Sequence, residues 1–190
     1  MREECGVIIV AGGSGTRMGG RELKQFRLLH NRPVFLWSAR FFAAQNSVNE
    51  IVLVVPEHEL ERASVLYERH GVGGRSKIVA GGERRQDSVA AGLAAFSNAP
   101  TMVAIHDAAR PFPPQNFDAA VMRASERNGV IFALPVGDTL KKVDKQSIRG
   151  TVGREKLWAA QTPQIFRREL IEGTEAAFGI RIASPERKSR

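Results

Sequence analysis

The chain carries a glycine-rich loop directly after a short apolar run, and the loop has the composition of a phosphate-binding turn. Residues 7–10 are four consecutive β-branched residues, a pattern that predicts a strand buried on both faces of a parallel sheet. The loop that follows contains Gly12, Gly13, Gly15, Gly19 and Gly20. Glycines let the backbone turn sharply and approach a ligand, and the N–H groups of such a loop can cradle an anion.

Two cations belong to the same stretch. Arg17 lies within the loop and Lys24 just after it, a spacing that lets both charges reach one polyphosphate. Two familiar glycine motifs are excluded: Met18 replaces the third glycine of a dinucleotide fingerprint, and Arg21 follows Gly20 where a P-loop needs lysine. Taken alone, the stretch is as compatible with a structural strand-to-helix turn as with a phosphate site.

Two further segments contain residue types that bind ligands. The first, GGERRQDS, places Arg85 and Ser88 one helical turn apart near the start of a predicted helix. The second, HDAARP, places Asp107 and Arg110 around two alanines that leave room for a ligand. Each also has a structural interpretation: a helix cap for Ser88, an ion pair for Asp107 and Arg110, and a satisfied buried histidine for His106.

Short apolar strands alternate with helical patterns along most of the chain. The pattern predicts strands at 7–10, 51–55, 77–80, 102–106 and 130–134, and helices at 34–45, 57–70, 83–96, 115–128 and 168 to about 178. This alternation predicts an α/β fold with a Rossmann-like, doubly wound, mostly parallel sheet. Ligands bind outside the carboxyl ends of such strands, so the three segments are expected at one sheet edge.

The last third of the chain departs from this alternation. Residues 137–153 alternate in polarity and predict a β-hairpin arm that projects from the sheet, and residues 161–166 predict a strand that re-enters it. We therefore expect a single domain over 1–180, followed by a solvated basic tail at 181–190.

Composition limits the class of protein and of partner. With 43% apolar and 25% charged residues, the chain has the composition of a globular protein, and its net charge of +8 predicts an anionic partner. Aromatic residues do not interleave with the basic ones, which argues against a nucleic-acid stacking platform. No apolar run is long enough for a membrane span, Glu3 and Glu4 are unlike a secretory signal, and Cys5 is the single cysteine, so we expect a cytoplasmic protein without an internal disulfide.

Several motifs in one order resemble the 2-C-methyl-D-erythritol 4-phosphate cytidylyltransferase family. They are AGGSGTRMG followed by LKQF, then GGERRQDSV, IHDAARPF, PVGDTLK and LWAAQTPQIF, which together extend from Val7 to about Leu170. The resemblance implies transfer of CMP from CTP to a sugar-alcohol phosphate, with release of pyrophosphate and a requirement for Mg²⁺ or another divalent cation.

The resemblance also assigns roles to residues. It implies that Arg17 and Lys24 stabilise the transition state, with Arg154 as a further catalytic cation. The nucleotide would be held by Ala11, Gly12, Gly13, Ser14, Gly15, Gly81, Gly82, Arg85 and Ser88. The acceptor would be held by Asp107, Arg110, Thr139 and Thr162. In the family the arm reaches a neighbouring subunit, so Thr139 and Arg154 would act in trans in a homodimer.

The sequence departs from the family pattern at two places. Leu23 stands where the family has proline before the catalytic lysine, which is expected to loosen the loop. The family also continues with a Thr-Asp-Asp segment and a Lys-Ile-Thr strand whose lysine helps to position the acceptor phosphate, and no residue here matches that lysine. A shortened member with weak or no activity and a substitute basic residue both agree with this pattern.

Three alternatives to the methylerythritol enzyme remain open from the sequence. Ribitol 5-phosphate cytidylyltransferase resembles the same core, although Ala109 in the HDAARP motif favours the methylerythritol enzyme because the ribitol enzyme tends to have a bulkier residue there. A non-catalytic CTP-binding remnant would bind CTP and release no pyrophosphate. An RNA-binding protein rests on net charge alone.

Overall fold

The computed structural model describes residues 4–12, 23–70, 72 and 74–173. The described strands are β1 (Cys5–Val10), β2 (Leu28–Leu29), β3 (Arg32–Pro33), β4 (Val48–Val55), β5 (Ser76–Ala80), β6 (Met102–Asp107), β7 (Gly129–Pro135), β8 (Leu140–Asp144), β9 (Ser147–Val152) and β10 (Trp158–Arg167). The α-helices are α1 (Val34–Ala43), α2 (Leu60–Arg69), α3 (Arg85–Ala94), α4 (Phe117–Arg127) and α5 (Arg168–Gly173), with short 3-10 helices at Lys24–Phe26 and Glu57–Glu59.

A six-stranded sheet forms the centre of the molecule, in the order β5-β4-β1-β6-β10-β7. Strands β5, β4, β1 and β6 are parallel neighbours. Strand β10 is antiparallel to both β6 and β7, so β7 has the same direction as β6. The predicted α/β class with a mostly parallel, doubly wound sheet is confirmed.

Apolar side chains alternate between the two faces of β1, which explains why the strand is apolar throughout. Val7 and Ile9 belong to a core that includes Phe35 and Phe42 of α1, together with side chains of α2 and α4. Ile8 belongs to a second core with Val89 and Leu93 of α3 and Ile171 of α5. Burial of both faces stabilises the strand at about 1.5–3 kcal/mol per fully buried aliphatic side chain. This burial therefore holds the ends of the central strands in fixed positions relative to one another.

The predicted strands and helices agree with the structure to within a few residues, and the differences have local causes. The helix predicted from residue 34 begins there as α1, directly after Pro33, which pairs with Leu28. The helix predicted from residue 57 begins as a 3-10 turn before α2. The strand predicted at 161–166 extends over ten residues. The helix predicted to reach residue 178 is described to Gly173, and the tail at 181–190 lies outside the described residues.

The predicted hairpin arm is confirmed as a two-stranded sheet of its own. Strands β8 and β9 pair antiparallel, and the turn between them contains Lys145 and Gln146 with φ values of 44° and 70°. Side chains along both strands are exposed, including the apolar Val143 and Ile148. No helix among the described residues is long and apolar enough to cross a membrane.

A buried carboxylate joins the sheet to the end of α3. Glu50 on β4 is 8% exposed and accepts hydrogen bonds from the backbone N–H and the hydroxyl of Ser97, and its Oε1 lies 3.1 Å from Nζ of Lys77 on β5. Burial by itself would raise the pKa of Glu50, but the hydrogen bonds from Lys77 and Ser97 outweigh burial and hold this pKa below its ordinary value of 4.5.

We expect Glu50→Gln to lower the free energy of unfolding by about 1–2 kcal/mol at pH 7, because the amide loses the charge-assisted bonds. The pKa of Glu50 is lower in the folded state, so its contribution is full above pH 4.5 and is lost as the pH falls through the folded-state pKa. Urea unfolding between pH 3 and pH 8 measures this.

The control is Asp144→Asn, which removes the exposed ion pair with Arg149 on the arm and should change stability little. Equal effects of the two variants, or a wild-type advantage over Glu50→Gln that persists unchanged to pH 3, would contradict the assignment.

Candidate active site

A cavity of about 490 Å³ opens at the carboxyl edge of the parallel strands. Its lining comes from the end of β1, the 3-10 helix Lys24–Phe26, the start of α3 and the turn after β6. Among the described residues, four cationic side chains and one carboxylate line it, namely Lys24, Arg84, Arg85, Arg110 and Asp107. The cavity therefore has the charge and position of a binding site for an anionic ligand.

Backbone hydrogen bonds make the three predicted loops begin at the same edge of the sheet. The N–H of Ala11 donates to Val54 O at 2.7 Å, and the N–H of Ala108 donates to Val10 O at 3.0 Å. The N–H of Gly81 donates to the carbonyl at the end of β4 at 2.8 Å. The parallel ladders thus continue one residue past the strands before the chain turns, which fixes where each loop begins.

Close packing explains two of the glycines beside the cavity. Ser88 on the first turn of α3 is 1% exposed. A Cβ at Gly81 would lie 2.6 Å from its Oγ and 2.9 Å from Cγ1 of Val54, and a Cβ at Gly12 would lie 3.1 Å from the same Oγ. Glycine is required at 81 because α3 approaches the strand ends too closely for a side chain.

Lys24 is held at the cavity by its neighbour in sequence. Gln25 is 2% exposed, and its side-chain amide donates to the carbonyl of Ala11 at the end of β1. This bond ties the 3-10 helix that carries Lys24 to the strand that precedes the glycine loop. Leu23 has φ −60° and ψ 129°, so it adopts the φ that the family's proline would impose.

Asp107 lies between two arginines. Both Nε and Nη2 of Arg85 lie 3.2 Å from its Oδ1, and Nε of Arg110 lies 3.4 Å from its Oδ2. Arg110 also donates to Oε1 of Gln161 on β10. These groups are more than one-third exposed, so the cluster is hydrated and carries a net positive charge toward the cavity.

A separate ion pair, between Arg84 and Asp87, lies at the start of α3. The backbone N–H of Arg84 donates to Oδ2 of Asp87 at 3.1 Å, and the guanidinium of Arg84 contacts the same carboxylate at 2.7 Å. These bonds hold the pKa of Asp87 below its ordinary range. The helix is capped by Asp87, and the alternative that Ser88 is the cap is wrong.

His106 is buried and satisfied, as its structural interpretation predicted. Its Nε2 lies 2.9 Å from the carbonyl oxygen of Arg110, its Nδ1 lies 3.2 Å from Oγ1 of Thr162, and its ring packs edge-on against Phe42. Burial lowers the pKa of His106 to about 4, so the ring is neutral near pH 7.

The structure brings most of the described site predictions together. Eight of them line the cavity: Ala11, Gly12, Lys24, Gly82, Arg85, Ser88, Asp107 and Arg110. Gly81 packs behind Ser88, and Thr162 lies behind the turn after β6 with 7% exposure. Arg17 and the loop residues Gly13, Ser14 and Gly15 lie outside the described residues.

Two predicted residues lie apart from the cavity lining. Thr139 precedes β8 and is exposed, and Arg154 follows β9 and donates to the carbonyl of Gly137. Neither residue is among those that line the cavity of this chain, and their expected action on a neighbouring subunit stays a prediction.

Sequence reasoning missed two polar residues of the lining, Gln25 and Arg84. The position of Gln25 beside Lys24 was the only local signal, because its contact with Ala11 joins residues 14 apart. Arg84 was visible as one of two adjacent arginines before a predicted helix, a position at which side chains reach a helix N-terminus.

Comparison with known proteins agrees with this geometry. The family model "IspD: 2-C-methyl-D-erythritol 4-phosphate cytidylyltransferase" matches residues 5–181. A relative of that name from Carboxydothermus hydrogenoformans is 40% identical over 171 residues, covering 89% of this chain and 73% of the relative. A bifunctional enzyme IspD/IspF from Caulobacter vibrioides is 43% identical over 175 residues, covering 90% of this chain and 45% of that protein.

Solved structures show the same relationship. The crystal structure of 4-diphosphocytidyl-2C-methyl-D-erythritol synthase from Anaerococcus prevotii has a TM-score of 0.76 and 26% identity, covering 91% of this chain and 75% of that one. The cytidylyltransferase from Thermus thermophilus has a TM-score of 0.69 and 26% identity, covering 90% and 73%. With a family model that spans nearly the whole chain, this protein belongs to the 2-C-methyl-D-erythritol 4-phosphate cytidylyltransferase (IspD) family.

Proposed function

We propose that this chain transfers the cytidylyl group of CTP to 2-C-methyl-D-erythritol 4-phosphate, giving 4-diphosphocytidyl-2-C-methyl-D-erythritol and pyrophosphate. The observation that carries the proposal is the cavity at the carboxyl edge of the sheet, where described residues of the three family motifs meet and line it with four cations and one carboxylate. The family's curated relatives carry the name of this activity.

The reaction places its main demand on electrostatics. A phosphate oxygen of the acceptor attacks the α-phosphorus of CTP, and the bond from the α-phosphorus to the oxygen that bridges to the β-phosphorus breaks. That oxygen leaves as part of pyrophosphate and takes the electron pair. The nucleophile is already an anion, so no general base is needed. The barrier comes from bringing negative groups together and from charge that develops on the phosphoryl oxygens and the leaving group.

The residues that line the cavity form two groups, one for the nucleotide and one for the acceptor. The backbone of Ala11 and Gly12, with Gly82 and Ser88, would face the nucleotide, and Lys24 would stabilise charge at the α-phosphorus together with Arg17. Asp107 and Arg110 would orient the acceptor's hydroxyls and phosphate. The Arg85–Asp107 contact joins the two groups. This arrangement would hold both anions before any bond changes.

We expect Lys24→Ala to lower kcat for pyrophosphate release by about 10²-fold or more, because a fixed cation is lost where charge develops. The measurement is pyrophosphate release from CTP with methylerythritol phosphate. The control is Arg123→Ala, which removes an exposed cation of α4 that does not line the cavity.

The choice of acceptor separates the proposal from its alternatives. Release with methylerythritol phosphate that Lys24→Ala abolishes and Arg123→Ala preserves supports the proposal. Release only with ribitol 5-phosphate would identify the other cytidylyltransferase. Binding of CTP with no release from either acceptor would overturn the enzymatic proposal and leave a nucleotide-binding remnant.

We further propose that Mg²⁺ enters on the triphosphate of CTP as part of the substrate. Among the described residues, no three His, Cys, Asp or Glu side chains cluster at metal-binding distance, and the one cavity carboxylate is already paired with two arginines. The described residues thus do not form a protein cage for the metal. Mg²⁺ commonly binds substrate phosphates with few protein ligands.

We expect the protein to bind Mg²⁺ only together with CTP, because the metal is carried by the nucleotide. Titration of Mg²⁺ by calorimetry should show no tight site on the protein alone and binding when CTP is present. A site on the nucleotide-free protein with affinity tighter than that of CTP itself for Mg²⁺ would contradict this proposal.

A homodimer joined through the arm is proposed from the exposed apolar side chains there. Leu134, Val143, Ile148 and Trp158 are each more than half exposed, on β7, the arm and β10. Exposed apolar side chains on a projecting hairpin and on the strand ends from which it projects are typical of a surface that a partner covers. A second copy would bring Thr139 and Arg154 toward a cavity, as the family resemblance implies.

We expect Ile148→Lys to shift the wild-type dimer toward monomer and to reduce activity, because a charge would be buried in the interface. Analytical ultracentrifugation measures the shift. The control is Met122→Lys, which changes a similarly exposed side chain, 64% against 67%, on α4 outside the arm.

Mixed dimers test whether the arm acts in trans. Arg154→Ala and Lys24→Ala are each expected to be inactive, and mixing them should restore up to about a quarter of wild-type activity, because one site in each mixed dimer combines an intact cavity with an intact arm. A monomeric active wild type, or no recovery after subunit exchange, would contradict the proposal.

We place the reaction in the cytoplasm. Both substrates are phosphorylated metabolites that do not cross membranes unaided. The net charge of +8 is consistent with these anionic substrates and does not require nucleic acid as a partner.

A further inference from the structure

The turn that carries Asp107 and Arg110 is closed by two buried side chains that are not part of the cavity lining. His106 is fully buried at the end of β6. Thr162 on β10 reaches the same turn from the antiparallel strand, and the backbone N–H of Asp107 donates to its Oγ1 at 3.2 Å. His106 and Thr162 therefore connect the two ends of the turn without facing the cavity.

In a neutral ring the hydrogen bonds of this turn have one consistent direction. The carbonyl oxygen of Arg110 can only accept, so Nε2 of His106, 2.9 Å away, carries the ring proton and donates to it. Nδ1 then has no proton and accepts from the hydroxyl of Thr162, 3.2 Å away. Oγ1 of Thr162 in turn accepts from the backbone N–H of Asp107. A neutral ring completes the chain with every buried donor paired.

We propose that His106 is a positioning residue for the acceptor end of the cleft: with Thr162 it holds the turn over residues 107–110 so that Asp107 and Arg110 face the cavity. The ring acts on the substrate only through these two neighbours. This inference rests on the proposed function, because the acceptor is expected to bind between Asp107 and Arg110.

The environment of the ring supports this role. Phe42 packs edge-on against it with ring centroids 5.0 Å apart, which fixes its orientation. Burial lowers its pKa to about 4, so the neutral form that the hydrogen-bond chain needs is the one present near pH 7. A protonated ring would require Nδ1 to donate, and the hydroxyl proton of Thr162 would lose its partner.

The first test observes the ring directly. In full-length wild-type protein labelled with ¹⁵N-histidine, we expect one of the four histidines to remain neutral with the proton on Nε2 from pH 5.5 to pH 8.5. The signal that disappears in His106→Gln assigns it. A proton on Nδ1, or protonation of this ring within that range, would overturn the inference.

The second test separates positioning from general stability. His106→Leu removes both bonds, and His106→Gln can keep the bond to the Arg110 carbonyl while it loses the one from Thr162. We expect the KM for the acceptor to rise about tenfold in His106→Leu and less in His106→Gln, while the KM for CTP changes less than about twofold. The matched control, His58→Leu, changes an exposed histidine outside the cavity lining and should have wild-type kinetics.

The outcomes distinguish this inference from the proposed function. An unchanged acceptor KM in folded His106→Leu, or equal increases in both KM values, would overturn the positioning role. If His106→Leu does not fold, the acceptor KM of His106→Gln and the protonation state of the wild-type ring test the positioning role instead. No pyrophosphate release by the wild type overturns the proposed function, whereas normal release with a proton on Nδ1 overturns this inference alone.

Discussion

The parallel pairing of β1 with β4 and β6 is the constraint on which the site depends. Because these strands have the same direction and both faces are buried, their carboxyl ends stop at one edge and cannot slip. The hydrogen bonds from Ala11, Gly81 and Ala108 extend the ladders by one residue. Three loops far apart in sequence thus begin side by side, and the cavity between them is a consequence of strand register.

The charged side chains at this edge can hold two anionic ligands, and because these side chains remain partly hydrated, the desolvation cost is small. Asp107 is shared by Arg85 and Arg110, all three groups are partly hydrated, and Asp87 is engaged by Arg84 at the start of α3. The lining therefore keeps a positive excess while its carboxylate is oriented. Partly exposed pairs of this kind contribute little to stability, so their arrangement is better explained by ligand binding than by folding.

The antiparallel strand β10 connects the cavity to the arm. Its middle contributes Thr162 to the turn after β6, and its first residues carry the exposed Trp158 beside the hairpin. One continuous element thus reaches from the buried polar chain around His106 to the surface proposed for a partner.

The sequence was sufficient for features whose causes are local. Apolar runs, glycine turns and helical spacing located the six strands of the central sheet and the hairpin arm, and the order of the motifs identified the loops that meet at one edge. Gly81 was recognisable as part of a glycine turn that enters a predicted helix, although the atom that a side chain there would meet, Oγ of Ser88, lies seven residues away. The charge of the cavity also followed from sequence, since Lys24, Arg85 and Arg110 belong to the three loops.

Tertiary structure decided which polar groups meet. Gln25 contacts the carbonyl of Ala11, and Thr162 contacts His106 across 56 positions. No periodicity signals such contacts, because they depend on how far one element lies from another after packing. The insertion of β10 antiparallel beside β6 likewise follows from the path of the arm rather than from the composition of the strand. Local sequence determined the elements and their charges, whereas the register between distant strands determined the hydrogen bonds that orient the site.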